Sequence, residues 1–259
     1  MSRLEEKTAI VTGGGTGIGK ACALELARAG ADVVIASRSM ANLEPVAEDI
    51  RSMGRRALAV AVDVAVKRQI TDMVREVLAT FGRIDVLVNN AGISTGGRRE
   101  DAQIKDLPEE DWDRVLDVTL KGTFLCTQAV TPHMLERRHG SIVNISSIGG
   151  VYASSPGLAA YVTAKTAVLG FTRAAAAELG PHGINVNAIS PGVIGTDIYK
   201  RNNTEEGIRN WEEMASSIAL CGRMGTPEEV AKLVLYLVGE ESAFINGQNI
   251  VIDGGRSFQ

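Results

Sequence analysis

What most limits the folds open to this chain is a rhythm of short apolar runs, each followed by a stretch of helix length. Thr8–Val11, Asp32–Ile35, Ala57–Val62, Ile84–Val88, Ser141–Ile145, Ile184–Ile189 and Asn249–Ile252 are rich in Val, Ile and Ala. Near-continuous apolar runs of this length read as strands buried on both faces. Between them, helices are expected from about Gly17 to Ala29, Met40 to Met53, Lys67 to Phe81, Leu158 to Leu179 and Pro227 to Val238. A longer helical stretch from Glu109 to Arg137 is interrupted near Gly122, and Pro108 with Glu109 and Glu110 suits its start. Strands alternating with helices require parallel pairing and helices on both faces. The expected fold is therefore α/β, a doubly wound sheet of about seven strands. No repeat, low-complexity tract or linker-like shift divides the 259 residues, so a single domain is expected, with residues 191–225 a variable stretch of one or two helices.

Composition excludes several function classes. A net charge of −4 with scattered arginines argues against a nucleic-acid binder, which shows a basic stripe. The pairs Arg55-Arg56, Arg98-Arg99 and Arg137-Arg138 read as solvated surface. Cys22, Cys126 and Cys221 are far apart, odd in number and without ligand spacing to His133, His139 or His182, so no metal is expected. The charged segment Met1–Lys7 runs straight into a strand, and no apolar run approaches the ~20 residues of a membrane span. A soluble, cytoplasmic protein with neither a membrane nor a nucleic-acid partner is expected.

Between the first strand and first helix lies Thr12-Gly13-Gly14-Gly15-Thr16-Gly17-Ile18-Gly19. Glycines there allow a tight turn and let a diphosphate approach backbone N–H groups at the helix N-terminus. The spacing is Gly-x-x-x-Gly-x-Gly rather than the commoner Gly-x-Gly-x-x-Gly; the bland alternative is a flexible turn. The second strand ends in Ala36-Ser37-Arg38-Ser39, with no carboxylate to bind a ribose 2′-hydroxyl. A guanidinium at Arg38 and a hydroxyl at Ser37 suit a 2′-phosphate, so NADP(H) is expected over NAD(H).

Tyr161 and Lys165 lie four apart in an expected helix and share one face. An ammonium near a phenol, which titrates near ~10 when free, favours the phenolate and makes a proton carrier for a carbonyl or alcohol oxygen. Taken alone, the same spacing describes two ordinary surface residues.

Thr12-Gly-x-x-x-Gly-x-Gly19, Asn89-Asn-Ala-Gly92, Ser147, Tyr161-x-x-x-Lys165 and Pro191-Gly192, in this order, resemble the short-chain dehydrogenase/reductase family over essentially the whole chain. The resemblance implies a Rossmann-type fold and a role for each matching position. Gly13, Gly15, Thr16, Gly17, Ile18 and Gly19 would hold the cofactor diphosphate. Asp63 and Val64 match the turn at the adenine, and Asn90, Ala91 and Gly92 the loop lining the cofactor. Pro191, Gly192, Ile194 and Thr196 match the segment that clasps the nicotinamide carboxamide. Ser147 matches the serine bonded to the substrate oxygen, with Ser146 beside it a rival, and Tyr161 the general acid-base. Lys165 matches the residue that holds the nicotinamide ribose and lowers the tyrosine pKa. Thr119 stands where the family commonly has an asparagine that supports a water in a proton relay; it reads equally as a buried helix threonine.

Sequence texture resembles 3-oxoacyl carrier-protein reductases and related carbonyl reductases. An acyl-thioester or small-molecule ketone is the first expected substrate, with a secondary-alcohol or sugar (glucose-1-dehydrogenase-like) dehydrogenase second. A non-catalytic NADP(H)-sensing module is a remote third. For a carrier protein, Arg138 and His182 match basic positions near the site entrance. Specificity is expected from Ile93–Asp106, Ile148–Leu158 and Ile194–Gly222. The last carries Tyr199, Ile208, Trp211 and Met214, either as a lid or as a small helix packed on the body. Ala174–Ala177 offers a small-residue helix face where family members pair subunits, so a homotetramer is expected.

Overall fold

A computed structural model of the chain describes residues 4–94, 103–152, 156–196 and 204–258, without the side chains of Trp211 and Ala215. Seven strands form one sheet: β1 (Thr8–Thr12), β2 (Asp32–Ser37), β3 (Ala57–Ala61), β4 (Val86–Asn89), β5 (Gly140–Ile145), β6 (Ile184–Pro191) and β7 (Asn249–Ile252). The helices are α1 (Gly17–Arg28), α2 (Met40–Ser52), α3 (Lys67–Phe81), α4 (Glu109–Leu116), α5 (Gly122–Arg137), α6 (Ala159–Leu179), α7 (Glu205–Ser217) and α8 (Pro227–Leu237).

All pairings are parallel, in the order β3-β2-β1-β4-β5-β6-β7. The chain runs outward from β1 to β3, then returns to lay β4 against the other side of β1. That reversal opens a crevice at the carboxyl ends of β1 and β4, where open α/β sheets bind ligands. Because successive strand residues point to opposite faces, Val11, Ile35 and Val88 pack with α1, α2 and α8, whereas Ile10, Val34 and Leu87 pack with α3, α5 and α6. Among the described residues no helix is long and apolar enough to cross a membrane.

The interruption expected near Gly122 is a π turn over Asp117–Lys121, just before it. Gly122 itself answers to packing: a Cβ there would stand 2.8 Å from Val64 Cγ2, so glycine lets α5 approach the turn after β3. The arginine pairs are not simply solvated. Arg55 and Arg56 grip Asp32 at 2.9 and 2.7 Å, and Arg56 lies 4.6 Å from the Phe81 ring centroid. Arg137 stands 3.6 Å from Asp85, which Arg83 also holds at 2.6 Å. Asp32 and Asp85 are buried near the amino ends of their strands, and buried carboxylates require partners. Arg98-Arg99 lies outside the described residues.

Candidate active site

The cleft begins at Thr12, the last residue of β1. Its Oγ1 accepts from the Asn90 and Ala91 N–H groups at 3.0 and 3.1 Å and donates to the Val88 carbonyl at 3.3 Å. The Asn90 amide donates back to the carbonyls of Thr12 and Gly13 at 3.0 and 3.3 Å. The loops after β1 and β4 are thus stitched together, and the Asn90 side chain serves that stitching rather than facing an open cleft. Gly13 has φ +66°, and a Cβ there would stand 2.7 Å from Asn90 Nδ2; a Cβ on Gly19 would overlap the Gly13 carbonyl. Gly17, φ +53°, faces Thr196 Cγ2 across 3.3 Å. Thr16 caps α1 without a side-chain hydrogen bond, so the first N–H groups of α1 are not covered by their own cap. Gly15 packs against Asn42, and Ile18 anchors the helix in the core. A narrow backbone cradle at a helix N-terminus fits a dinucleotide diphosphate.

At the next strand end, Ser37 Oγ accepts from the Ser39 N–H at 3.3 Å, and Arg38 is exposed with no ion pair among the described residues. Asp63 follows β3. Burial alone would raise its carboxyl, but the Ala65 N–H at 3.0 Å, Arg114 at 2.8 Å and the charge of Arg38 hold it below its ordinary 3.8. Val64 is buried. Arg114, on α4, was not legible as part of this corner, since only the fold brings it to Asp63.

Beyond β5 the rival serines separate. Ser146 is buried and donates to the Lys165 carbonyl at 2.8 Å, which ties the strand end to α6. Ser147, half-buried, accepts from the Gly149 N–H at 3.1 Å and hydrogen-bonds Tyr161. Lys165 is 5% exposed; its Nζ donates to the Ile145 carbonyl at 2.7 Å and stands 5.8 Å from the Tyr161 ring centroid. Thr119, in the π turn, accepts from the Ile93 N–H at 3.3 Å. A Cβ on Gly92 would lie 3.2 Å from Lys165 Nζ and 3.5 Å from Thr119 Oγ1, so Gly92 keeps the floor of the cleft open between them.

The electrostatics differ from the acidified phenol expected of the spacing. Burial pushes Tyr161 above its ordinary 10.0, and the Ser147 hydrogen bond pulls it back only in part. Burial pushes Lys165 down from 10.5 to about 8. Desolvation penalises the charged form of each group: Lys165 is enclosed, and Tyr161 is half-buried. At neutral pH the phenol keeps its proton and the amine is still mostly charged.

The opposite wall comes from the end of β6. Pro191 pairs with Ile252, the Gly192 N–H donates to the Ile252 carbonyl at 2.9 Å, and Ile194 bridges to Gly225. Thr196 meets Gly17. The three specificity segments lie partly outside the described residues, Tyr199 among them, while α7 confirms a helix within the third. Arg138 and His182 do come together, Arg138 donating to the Pro181 carbonyl at 3.1 Å. They do so at the amino end of β5, so within one chain the length of that strand, roughly 20 Å, separates them from the Ser147 edge. No group of three or more metal-ligating side chains occurs among the described residues.

Comparison with known proteins agrees with this geometry. Residues 13–257 match a family model described as Enoyl-(Acyl carrier protein) reductase. The chain is 42% identical over 253 residues, 98% of each protein, to the 3-oxoacyl-[acyl-carrier-protein] reductase FabG of Thermotoga maritima. Among solved structures, levodione reductase superposes with a TM-score of 0.92 at 31% identity, over 99% of both chains. NAD+-bound xylitol dehydrogenase superposes at 0.87 and 32% identity, over 98% of this chain and 100% of that one.

Proposed function

The chain belongs to the short-chain dehydrogenase/reductase family, and from that premise we propose an NADP(H)-dependent reductase of 3-oxoacyl thioesters or similar ketones. The observation that carries the reading is the hydrogen-bonded, half-buried Ser147–Tyr161 pair, whose phenol is kept protonated by withdrawal from water. Reduction adds a hydride to the carbonyl carbon, so negative charge gathers on oxygen. Two hydroxyls converging on that oxygen stabilise the charge where it develops, and Tyr161 delivers the proton that completes the alcohol. When bound, the nicotinamide supplies the hydride. Lys165, anchored on Ile145, holds the nicotinamide ribose and keeps a positive charge near the phenol. Thr119 supports a water beneath the lysine.

In this reading Gly13, Gly15, Thr16, Gly17, Ile18 and Gly19 cradle the diphosphate, and Ser37 and Arg38 take the 2′-phosphate. Asp63 and Val64 border the adenine. Ala91 and Gly92, on the loop that Asn90 fixes, line the nicotinamide side opposite Pro191, Gly192, Ile194 and Thr196. Ala174 and Ala177 are exposed on α6, while Phe124 of α5 is 42% exposed and lies edge-on to Phe171. Small and aromatic side chains along one face support close packing of subunits into a homotetramer.

The likeness to an NAD+-bound xylitol dehydrogenase favours a second reading, oxidation of a sugar alcohol or secondary alcohol with NAD(H). Initial rates on an acetoacetyl thioester, sugars and simple secondary alcohols, each with both cofactors, separate the two. The expected result is fastest turnover of the thioester with NADPH, from a preparation whose light-scattering mass is four times 27.4 kDa. Comparable kcat/KM for NADPH and NADH would defeat the cofactor assignment, faster sugar oxidation the substrate class, and a monomeric mass the assembly.

A further inference from the structure

Four buried polar side chains stand in a line through an otherwise apolar layer. Asn89, the last residue of β4, donates through Nδ2 to Thr127 Oγ1 on α5 at 3.1 Å and to Asn144 Oδ1 on β5 at 2.9 Å. Asn144 Nδ2 donates to Thr172 Oγ1 on α6 at 2.9 Å, and Thr172 donates onward to the Val168 carbonyl at 2.8 Å. Exposures are 4% for Thr127, 3% for Asn89, 0% for Asn144 and 1% for Thr172.

Stability does not account for the line. Asn89 Oδ1 is buried with no partner among the described residues. A partly satisfied buried polar network is worse than an apolar core of the same shape. On the same face of the sheet, Leu87 and Ile142 two residues earlier, with Val130 of α5 and Ala175 and Leu179 of α6, show that apolar side chains suit this layer. What the line provides is registration. Asn89 and Asn144 are direct partners across the parallel pair, and a slip of one residue would turn the side chains to opposite faces. The Asn144–Thr172 bond then sets how far α6 lies along β5, and the Asn89–Thr127 bond does the same for α5 along β4.

Each of the four elements carries part of the candidate site a short distance from its rung. On α6, Lys165 is 172 − 165 = 7 residues before Thr172, two helical turns, with Tyr161 a turn further. On α5 and the π turn before it, Thr119 is 127 − 119 = 8 residues before Thr127. On β5, Asn144 is followed by Ile145, whose carbonyl holds Lys165 Nζ, and then by Ser146 and Ser147. On β4, Asn89 is followed by Asn90, Ala91 and Gly92.

We propose that Thr127, Asn89, Asn144 and Thr172 form a positioning brace, a hydrogen-bonded line across α5, β4, β5 and α6 that fixes Lys165 and Tyr161 relative to Ser147. The assignment rests on the reading of Tyr161 as proton donor. These are positioning residues, since none of them touches the reacting atoms.

Thr172→Val keeps the shape of the side chain and removes the hydroxyl, whereas Thr172→Ser keeps the hydroxyl. In Thr172→Val, kcat is expected to fall about tenfold or more, because small displacements of reacting groups are costly. KM for the dinucleotide is expected to rise much less than kcat falls, by about threefold at most, since the diphosphate cradle is untouched and only the ribose contact of Lys165 is loosened. NMR titration of side-chain-labelled lysine, with Lys165 assigned by Lys165→Arg, is expected to show its midpoint moving up from about 8 toward 10.5 as Nζ gains water. Thr172→Ser restores both quantities. Should Thr172→Val not fold, Thr127→Val tests the brace from its other end, with kcat again falling by much more than dinucleotide KM rises. Unchanged kcat and an unchanged Lys165 titration, with only the melting temperature lowered, would overturn the proposal. The titration needs no turnover, so it judges the brace even if Tyr161→Phe or the substrate panel overturns the functional reading.

Discussion

Tyr161→Phe is expected to lower kcat about 10³-fold while leaving dinucleotide binding within about twofold of the parent, the scale of a positioned general acid acting where charge develops. The substitution removes one oxygen and leaves the half-buried ring in the cluster it shares with Leu116, Leu120 and Ala164. Loss of proton delivery is therefore separable from loss of fold. The pH profile carries the sign of the same argument. Reduction needs the proton on Tyr161, which burial holds above the ordinary 10.0, and the charge on Lys165, which titrates near about 8. The rate of ketone reduction is expected to be level through neutral pH, to decline as Lys165 loses its proton near 8, and to fall again above 10. Steady-state kinetics of parent and variant across pH 6–10.5 check both statements. Turnover by Tyr161→Phe within tenfold of the parent, or a rate that rises through pH 8–10, would be incompatible with proton donation by this phenol.

Asp85→Ala should destabilise the protein by about 3–5 kcal/mol, the usual consequence of breaking a buried charge cluster by deleting one member. The Asp85 carboxylate is 1% exposed; it accepts from Arg83 at 2.6 and 2.7 Å and from the Thr8 N–H at 2.9 Å, with Arg137 at 3.6 Å. Its removal strands two guanidinium groups and a backbone donor at the amino ends of β1 and β4. Burial pushes its carboxyl up, but the Arg83 hydrogen bonds and the Thr8 N–H outweigh this and leave it below 3.8. Because the folded value is the lower one, the stabilisation is fully present above the unfolded value near 3.8 and is lost as pH falls through the folded value. Urea denaturation of parent and variant at pH 7 and near pH 3 is expected to show a large difference at the first pH and a smaller one at the second. A difference under about 0.5 kcal/mol at pH 7 would show that the surrounding cations do not depend on this carboxylate.

Much of this was legible because the strands and helices repeat physical rules that act over a few residues. Apolar runs such as Asp32–Ile35 and the glycines after Thr12 announce a buried parallel strand and a phosphate turn without help from distant contacts. The misses share the opposite cause. That Gly122 serves close packing was not legible, because the sequence does not show Val64 pressing on it. Arg55, Arg56 and Arg137 looked like solvent-facing charges because their partners Asp32 and Asp85 come to them only through the sheet. Which of Ser146 and Ser147 meets Tyr161 depends on the phase of β5 relative to α6, which strand alternation does not determine. Spacing put Tyr161 and Lys165 on one helix face, yet the protonation of each follows from water exclusion by elements far away in the chain. Asn144 inside Ser-Ile-Val-Asn-Ile was a visible signal, a buried amide in an apolar strand, whose meaning appears only with Asn89 and Thr172 beside it.

Whether this cleft moves a hydride onto a ketone while Tyr161 supplies the proton is read by following deuterium from NADPH labelled at C4 on either face, in separate reactions, during reduction of an acetoacetyl thioester. Deuterium is expected on the new carbinol carbon of the product, delivered from one face of the nicotinamide only and slowed about 10³-fold in Tyr161→Phe. Cofactor oxidation that leaves no deuterium in the product, or transfer as fast in Tyr161→Phe as in the parent, would contradict this mechanism.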